Sequence, residues 1–386
     1  MNKAMLLTNG RIYTPDRLIE SGFIQVDTFG KIVAIGVMNE LEDIEMDVVI
    51  DLGGKQLLPG FIDVHIHGGD GCSFMDASYE TIEKITQFHA RNGTTALLAT
   101  TSTSSKDKIL TALERLVEAQ KQGVSGSDIV GIHLEGPFIN EKRSGAQDKD
   151  TILAPDLHVL NEFVSAAAGT MRLVTLAPER ENGLELVKYL VENNITVTAG
   201  HSDASYDEVI EAVQAGITHT THHFNGMRPI HHRDPGLAGA GLLLPELTTE
   251  LIADGFHVHP EMIKLLFQIK GSDKVCLITD AVFCAGLPDG EYDRVTVTNG
   301  EVYLKDGSSL AGSSLTMMKA LKNVLHFTGL SLEEVLPSLT QVPARQAGIS
   351  DVKGSLEVGK DADFLIVDEK LDIQSTYVRG RNVFSI

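Results

Sequence analysis

Apolar and polar residues alternate through much of this chain in short stretches that predict β-strands, and longer stretches with helical periodicity lie between them. Eight strand patterns follow residue 60, at 61–66, 95–100, 129–134, 172–177, 195–200, 217–222, 249–254 and 275–279. A two-residue period places successive side chains on opposite faces of a strand, whereas apolar residues three and four apart line one face of a helix. Helices are predicted between most of these strands, most clearly at 106–122, 184–193, 206–215 and 260–270.

This alternation of eight strands with helices is typical of an α/β protein with a (β/α)8 barrel of the TIM type. A doubly wound open sheet is the alternative, because the order of strands and helices alone is compatible with both folds. The helix at 106–122 has the clearest boundary signals. Ser104 and Asp107 form a predicted capping pair before it, and Gly123 follows its end.

At each end of the chain, strand patterns follow one another directly, with no helical pattern between them. Residues 1–54 contain four such patterns, and residues 350–386 return to the same character. Between the eighth barrel strand and this tail we predict an inserted hairpin at 286–309 and two helices at 313–327 and 331–348. We therefore predict a small discontinuous β-sandwich domain formed by residues 1–54 and 350–386, and a barrel domain formed by residues 55–349.

The composition is that of a soluble protein of enzyme size. The chain has 386 residues, of which 42% are hydrophobic and 22% are charged, and its formal net charge is −21. This charge repels nucleic acids and anionic membranes, and no run approaches the roughly 20 apolar residues that a membrane-spanning helix needs. The 3 cysteines have no CxxC spacing, so neither a disulfide framework nor a thiolate metal site is indicated, and we expect a cytoplasmic location.

The first predicted barrel strand ends in a pair of histidines that suits a metal ion. His65 and His67 lie two residues apart within PGFIDVHIHGG, so both imidazoles leave the same face of the strand. Neutral imidazole nitrogens bind Zn²⁺, Fe²⁺ and Mn²⁺ readily. Taken alone, the pair is equally compatible with two polar residues at the end of a strand.

Four other predicted strands also end in a residue that binds metals or transfers protons. Glu135 ends the third strand within HLEGP, His201 follows the fifth within TAGHSD, His222 ends the sixth within THTTHHFNG, and Asp280 follows the eighth within ITDA. All strands of a parallel barrel end at one face, where barrel enzymes have their active sites. This convergence predicts a metal-dependent active site. His133, two residues before Glu135, is interpreted as a hydrogen-bonded core residue instead.

These motifs resemble the amidohydrolase superfamily, and within it the family of N-acetylglucosamine-6-phosphate deacetylases. The resemblance rests on PGFIDVHIHG, GIHLEGPF, TAGHSDA, HHFNGM, RDPGLAG, IADGFHVH, ITDA and LAGSSLTM, which together span nearly the whole chain. The HxH pair is shared across the superfamily, whereas HLEGPF, GHSDA and RDPGLAG are more specific to these deacetylases. The resemblance implies hydrolysis of N-acetylglucosamine 6-phosphate to glucosamine 6-phosphate and acetate, in amino-sugar catabolism and cell-wall recycling.

The resemblance also implies the metal ligands. A divalent ion, Zn, Fe or Mn, is implied at Glu135, His201 and His222. A second ion is possible because the chain keeps both His65 and His67, and Asp280 is a further implied metal ligand. The fourth strand ends in LAPE, without a lysine that could be carboxylated, so the Glu135 carboxylate is expected to bridge the ions. Asp280 is expected to accept a proton from the attacking water and deliver it to the departing amine.

Substrate contacts are implied in the same way, and one of them crosses a subunit interface. In the implied homodimer, Arg233 of the RDPG stretch binds phosphate in the neighbouring subunit's site, since a guanidinium fork matches phosphate oxygens. The other implied contacts are Ala146, Gln147, Asn225, Gly226, His257, Leu310, Ala311 and Gly312. Gln147 stands where some relatives carry histidine.

Two other functional classes stay open on the sequence. One is a different amidohydrolase, such as a D-aminoacylase or a cyclic-amide hydrolase, although the arginine-containing loop after the sixth strand favours a phosphorylated substrate. The other is a non-catalytic scaffold with the amidohydrolase fold, although every ligand position is filled in this chain. The sequence does not specify the metal, the number of ions or the tolerance for N-acetylgalactosamine 6-phosphate.

Overall fold

The computed structural model, which describes residues 3–42, 46–76 and 78–386, is built around a barrel of eight parallel strands. These strands follow one another in chain order around the barrel, as Phe61–Ile66, Thr94–Thr101, Asp128–Glu135, Met171–Leu176, Thr196–Ala199, His219–Thr220, Thr248–Ile252 and Val275–Ile278. The last strand lies beside the first, where the Asp280 amide donates to the His65 carbonyl over 2.9 Å. The predicted (β/α)8 class is therefore confirmed, and the open doubly wound sheet is excluded.

Helices surround the barrel with bounds close to those predicted. They are Tyr79–Arg91, Lys106–Gln122, Leu157–Ala166, Gly183–Glu192, Tyr206–Ala215, Gly236–Leu243, Pro260–Lys270 and Met317–Thr328. The predicted capping pair at the start of Lys106–Gln122 is wrong, because the residue before the helix is Ser105 and its side chain makes no capping hydrogen bond. None of the helices in the described ranges is both long and apolar enough to cross a membrane.

The predicted helix at 331–348 is wrong as a single element. The structure divides it into the helices Leu332–Val335 and Gln341–Gln346, with the 3-10 turn Leu336–Leu339 between them. Pro337 lies at the start of the turn and Pro343 in the first turn of the last helix. Because proline has no backbone N–H to donate, it is tolerated at the start of a helix and interrupts a longer one.

Strands from both ends of the chain share one sheet beside the barrel. Its strands are Met5–Tyr13, Leu18–Val26, Ile32–Val37, Val48–Asp51, Gln56–Pro59, Phe364–Val367, Ile373–Val378 and Arg381–Ser385. Gln56–Pro59 pairs with Met5–Tyr13 on one side and with Phe364–Val367 on the other. Backbone hydrogen bonds thus join the two ends of the chain, while the domain limits at residues 54/55 and 349/350 stay a prediction.

The segment predicted as an inserted hairpin lies at the end of the barrel where its parallel strands terminate. It contains three antiparallel strands, Gly290–Glu291, Val295–Thr298 and Glu301–Leu304. Val295, Val297 and Val302 form a small apolar cluster with Cys284, which follows the eighth barrel strand. A further short pair, Gly68–Gly69 with Cys72–Ser73, lies after the first barrel strand.

A buried ion cluster joins the barrel to the sheet that the chain ends form. Lys353 is only 2% exposed, and its Nζ lies 3.0 Å from Asp128 Oδ2, 3.0 Å from Asp361 Oδ2 and 2.6 Å from Asp363 Oδ2. Asp128 begins the third barrel strand, and Arg379 Nε lies 2.7 Å from its carboxylate. Burial lowers the pKa of Lys353, but the three carboxylates raise it well above its usual value, so this lysine stays charged.

Replacing Lys353 by methionine is expected to lower the free energy of unfolding by about 3–5 kcal/mol, because the aspartates would lose their buried cation. Urea unfolding followed by circular dichroism measures this loss. Lys322→Met is the matched control, since Lys322 pairs with Asp372 at 2.7 Å where the two side chains are 38% and 57% exposed. Exposed ion pairs contribute little, so equal losses in the two variants would contradict the role of the cluster.

Candidate metal centre

The side chains predicted from the strand ends converge on Glu135 at the barrel axis. His201 Nε2 and His222 Nε2 lie 3.1 and 3.2 Å from Glu135 Oε1. His65 Nε2 lies 3.3 Å from the same oxygen, and His67 Nε2 lies 3.3 Å from Glu135 Oε2. All five residues are buried. One carboxylate is therefore surrounded by four imidazoles from three other barrel strands and their ends.

Asp280 completes a second group of potential ligands beside the first. Its Oδ1 lies 3.2 Å from His67 Nε2 and 3.8 Å from His65 Nε2. The ligand atoms of these three residues lie within 4.8 Å of one another, and the same is true of the first group, Glu135, His201 and His222. The structure thus brings the predicted ligands together in two groups, and it places Asp280 with His65 and His67.

Hydrogen bonds behind two of the imidazoles determine which nitrogen faces the centre. His201 Nδ1 donates to the Arg143 carbonyl over 2.8 Å, and His222 Nδ1 donates to the Asn225 carbonyl over 3.1 Å. A carbonyl oxygen only accepts, so both rings carry a proton on Nδ1. In the neutral imidazole, Nε2 then presents a lone pair to the centre, as a metal ligand must.

The distances within this first group suit a divalent cation. The Nε2 atoms of His201 and His222 lie 3.1 Å apart, and both lie at similar distances from Glu135 Oε1. Three electron-pair donors that face one another repel unless a cation lies between them. Ligand atoms about 2.0–2.1 Å from a tetrahedral Zn²⁺ are roughly 3.3 Å apart, close to the separations found here. His65 Nε2 is also buried without a hydrogen-bond partner.

The charges in the centre favour a cation as well. Burial lowers the pKa of His67, but its hydrogen bonds with Asp280 and Glu135 raise it to about 9. Burial raises the pKa of Glu135, yet the neighbouring imidazoles, His65 foremost, hold it well below its usual range. The carboxylates therefore stay ionised and attract positive charge, which a divalent ion supplies.

Three of the predicted ligands occupy left-handed backbone conformations. The φ angle is +47° at His201, +28° at His222 and +49° at Asp280. Each residue lies two positions beyond the end of a barrel strand. A non-glycine residue in this conformation costs of order 1–3 kcal/mol and is found most often at functional sites. Here the backbone turns sharply as it leaves each strand, at the residues whose side chains meet on the barrel axis.

A cavity of about 1080 Å³ opens above the centre and contains most of the predicted substrate residues. Eight of them line its wall, namely Ala146, Gln147, Asn225, Gly226, His257, Leu310, Ala311 and Gly312. Arg233 is not in the wall of this cavity. Its guanidinium lies at the exposed surface, where Nη1 is 2.7 Å from His232 Nε2.

Two polar side chains in the cavity wall are held by further contacts. Gln147 Nε2 donates to Glu135 Oε2 over 2.5 Å, and Gln147 Oε1 accepts from the Thr103 amide over 2.9 Å. His257 Nδ1 lies 2.6 Å from Asp254 Oδ2. Burial lowers the pKa of His257, but Asp254 raises it above its usual value. The raised pKa favours the protonated imidazole, which suits an anionic group of a substrate.

His133 and Glu250 show one success and one failure of the sequence interpretation. His133 is fully buried, with Nδ1 3.0 Å from the Val64 carbonyl and Nε2 2.8 Å from Thr175 Oγ1, so it is a core residue as predicted. Glu250 was missed. Its carboxylate lies 3.1 Å from His65 Nδ1 and is completely buried. The available signal was an acidic residue inside the strand pattern TTELIAD.

Comparison with known proteins yields full-length relatives. The family model described as "Amidohydrolase family" matches residues 56–383. N-acetylglucosamine-6-phosphate deacetylase of Bacillus subtilis (strain 168) is 38% identical over 391 residues, which cover 100% of this chain and 98% of the relative. N-acetylgalactosamine-6-phosphate deacetylase of Escherichia coli O157:H7 is 35% identical over 353 residues, covering 90% of this chain and 93% of the relative.

A solved structure gives the same result in three dimensions. It is a mutant N-acetyl-D-glucosamine-6-phosphate deacetylase from Mycobacterium smegmatis in complex with N-acetyl-D-glucosamine-6-phosphate. The TM-score is 0.92 at 30% sequence identity, over 99% of this chain and 100% of that one. The similarity therefore includes both the barrel and the sheet formed by the chain ends.

The variants Glu135→Gln and His201→Ala are each expected to bind less divalent metal. Each substitution removes a ligand atom from the group of Glu135, His201 and His222. Metal content after dialysis, measured by inductively coupled plasma mass spectrometry, checks this. His158→Ala is the control, since that histidine side chain is 84% exposed and should not affect metal content. Full metal content in Glu135→Gln would exclude Glu135 as a ligand.

Proposed function

This chain belongs to the amidohydrolase family, and we propose that it is a metal-dependent deacetylase that converts N-acetyl-D-glucosamine 6-phosphate to D-glucosamine 6-phosphate and acetate. The observation that carries this proposal is the convergence of two candidate ligand groups at Glu135 beside a cavity lined by the residues that the resemblance implies as substrate contacts. Similarity along the whole chain to deacetylases of phosphorylated amino sugars supports it. A D-aminoacylase, a cyclic-amide hydrolase or a non-catalytic scaffold accounts for these features less well.

The residues of the centre divide the chemistry between them. When bound, a divalent ion such as Zn²⁺, Fe²⁺ or Mn²⁺ activates a water molecule and polarises the acetamide carbonyl. One or two ions would be held by the groups already described, Glu135, His201 and His222, and His65, His67 and Asp280. The Asp280 carboxylate accepts a proton from the water and passes it to the amine nitrogen, because an unprotonated amine leaves poorly.

The cavity wall includes a group that suits the substrate phosphate. The chain carries a net charge of −21, so an anionic sugar needs local positive groups. We propose that His257 supplies one within the wall, which Asn225 and Gly226 also line. Gln147 and the loop that contains Ala311 lie in the wall as well and are proposed contacts to the sugar and its acetamide.

We also propose a homodimer in which Arg233 binds the phosphate in the partner's cavity. Arg233 is outside the cavity of its own chain and lies on the surface loop 224–236. Large apolar side chains near this loop are exposed, by 49% at Ile230, 62% at Leu243, 37% at Leu265 and 47% at Ile269. Lys270 Nζ donates to the Leu244 carbonyl over 2.8 Å, so the helices that carry them are adjacent. Exposed apolar patches of this kind mark protein interfaces.

A cytoplasmic location and a role in amino-sugar catabolism and cell-wall recycling complete the proposal. Cys72, Cys276 and Cys284 are all free thiols. Free thiols are typical of a reducing compartment.

The function is tested by incubating the metal-loaded protein with N-acetylglucosamine 6-phosphate and assaying the free amine and acetate. Equal amounts of both products are expected. N-acetylgalactosamine 6-phosphate, an N-acetyl-D-amino acid and a cyclic amide are assayed in parallel. Turnover of either of the last two, with none of the phosphosugars, would overturn the proposal, whereas turnover of both phosphosugars would broaden it.

Asp280→Asn is expected to lower the rate of turnover by about 10²–10⁴-fold, because an amide cannot transfer the proton. Single-turnover rates and metal content are measured together on the same preparation. We expect the metal bound by Glu135, His201 and His222 to remain. A rate within a few-fold of wild type, at equal metal content, would assign the proton transfer to another residue.

Arg233→Ala is expected to weaken binding of the phosphorylated sugar by about 1.5–3 kcal/mol, the contribution of a charge-assisted hydrogen bond. Calorimetric titration with the phosphosugar measures this. Unphosphorylated N-acetylglucosamine is the control ligand, and its weak binding should hardly change. An equal loss with both ligands would make Arg233 a structural residue.

The partner-subunit role is tested by co-expressing Asp280→Asn and Arg233→Ala chains with different affinity tags. Heterodimers are purified through both tags and compared with each parent homodimer. If Arg233 acts across the interface, one of the two sites combines an intact Asp280 with an intact Arg233 and activity returns. If Arg233 acts within its own chain, every site carries one defect and the heterodimer is no better than its parents.

A further inference from the structure

Glu250 is a buried carboxylate that no step of the proposed reaction uses. It lies within the seventh barrel strand, Thr248–Ile252, all of whose residues are buried. Its Oε2 is 3.1 Å from His65 Nδ1 and accepts from the His222 amide over 3.3 Å. Its Oε1 accepts from Gln346 Nε2 over 2.6 Å. A carboxylate is costly to bury unless it is paired or assists a metal site.

His65 differs from the other three imidazoles in the group behind its ring. Nδ1 of His67 lies 3.1 Å from the Ser102 hydroxyl. Nδ1 of His201 and of His222 donates to a backbone carbonyl. Among the predicted ligands in the described ranges, His65 is therefore the histidine with a carboxylate behind it. Such a carboxylate fixes the tautomer of a metal-binding histidine and increases the basicity of its other nitrogen.

Charge balance gives Glu250 a second effect on the centre. In the described part of the chain, the charged partners within 4.0 Å of Glu135, Glu250 and Asp280 are histidines, not lysines or arginines. With neutral imidazoles, these three carboxylates leave a net charge of −1 when one divalent ion binds and +1 when two bind. Without Glu250, one ion neutralises the remaining two carboxylates, and a second ion meets an already neutral centre.

We propose that Glu250 is a positioning residue that enables the group of His65, His67 and Asp280 to hold a second divalent ion. Through His65 Nδ1 it directs the Nε2 lone pair to the centre, and its charge offsets that of the second ion. Gln346, in the helix Gln341–Gln346, holds the other carboxylate oxygen. This inference rests on the proposed function only for the presence of a metal centre.

Glu250→Gln tests the proposal with little change in shape. A glutamine accepts from His65 Nδ1 through its carbonyl and donates to Gln346, whose Oε1 is buried without a partner and becomes the acceptor when that amide rotates. Metal-free protein is titrated with Zn²⁺ by calorimetry and in competition with a chromogenic chelator. We expect two binding steps in the wild type, and in the variant a 10–100-fold loss of affinity in the weaker step only.

Asp63→Asn is the matched control for removal of a nearby buried carboxylate. Asp63 is also fully buried, but its hydrogen bonds go to the His65 backbone amide over 3.2 Å and to the Thr279 hydroxyl over 2.6 Å, not to the imidazole. We expect both Zn²⁺ affinities to stay close to wild type. Urea unfolding of each metal-free variant shows whether the fold is retained.

Three results would overturn the proposal: unchanged second-step affinity in Glu250→Gln, equal loss of both steps, or a wild type that binds one ion. If Glu250→Gln does not fold, Gln346→Leu takes its place. That change removes the donor to Glu250 Oε1 and should weaken the second step only, so an unchanged second step would again contradict the proposal. Because the readout is Zn²⁺ affinity, failure of this inference is distinct from absence of deacetylase activity.

Discussion

The convergence of electron-pair donors on one point of the barrel axis is the constraint on which the rest of the site depends. Imidazole nitrogens and carboxylate oxygens approach to 3.1–3.3 Å around Glu135. This arrangement is unfavourable without positive charge at its centre. The fold maintains it by closing eight strands into a barrel, by holding each ring from behind, and by accepting left-handed backbone at three ligands. A divalent cation bound between the donors offsets these costs.

The barrel and its ligands could be predicted because both depend on local signals. Period-two patterns between glycine and proline residues marked the strands, and a ligand stood at or just beyond the end of five of them. The parallel barrel then brings those ends to one face, whatever their separation in sequence. His65 and His67 needed only the strand period to be placed on one side. His133 was separated from the ligands by its position one layer deeper in the same strand.

What the sequence could not show depends on contacts between distant segments. Glu250 lies in the middle of a strand, and the ring it supports is 185 residues away in sequence. The three aspartates around Lys353 come from the barrel and from the C-terminal segment, and no local pattern joins them. Arg233 was chosen for its motif, but its place outside the cavity of its own chain follows from the path of a surface loop. Sequence patterns predict which face of a helix or strand is buried, whereas tertiary packing determines which distant residues come into contact.

The sheet shared by the chain ends has a consequence for synthesis of the protein on the ribosome. Gln56–Pro59 pairs with Phe364–Val367, and the roughly 300 residues between them take about 15–60 s to translate at 5–20 residues per second. Throughout that time the N-terminal strands present an open edge, which other strands can pair with. The C-terminal segment therefore completes a sheet whose N-terminal strands were synthesised about 15–60 s earlier. A nascent chain that stalls between the barrel and the C-terminal strands would have all eight barrel strands beside an incomplete, aggregation-prone sheet.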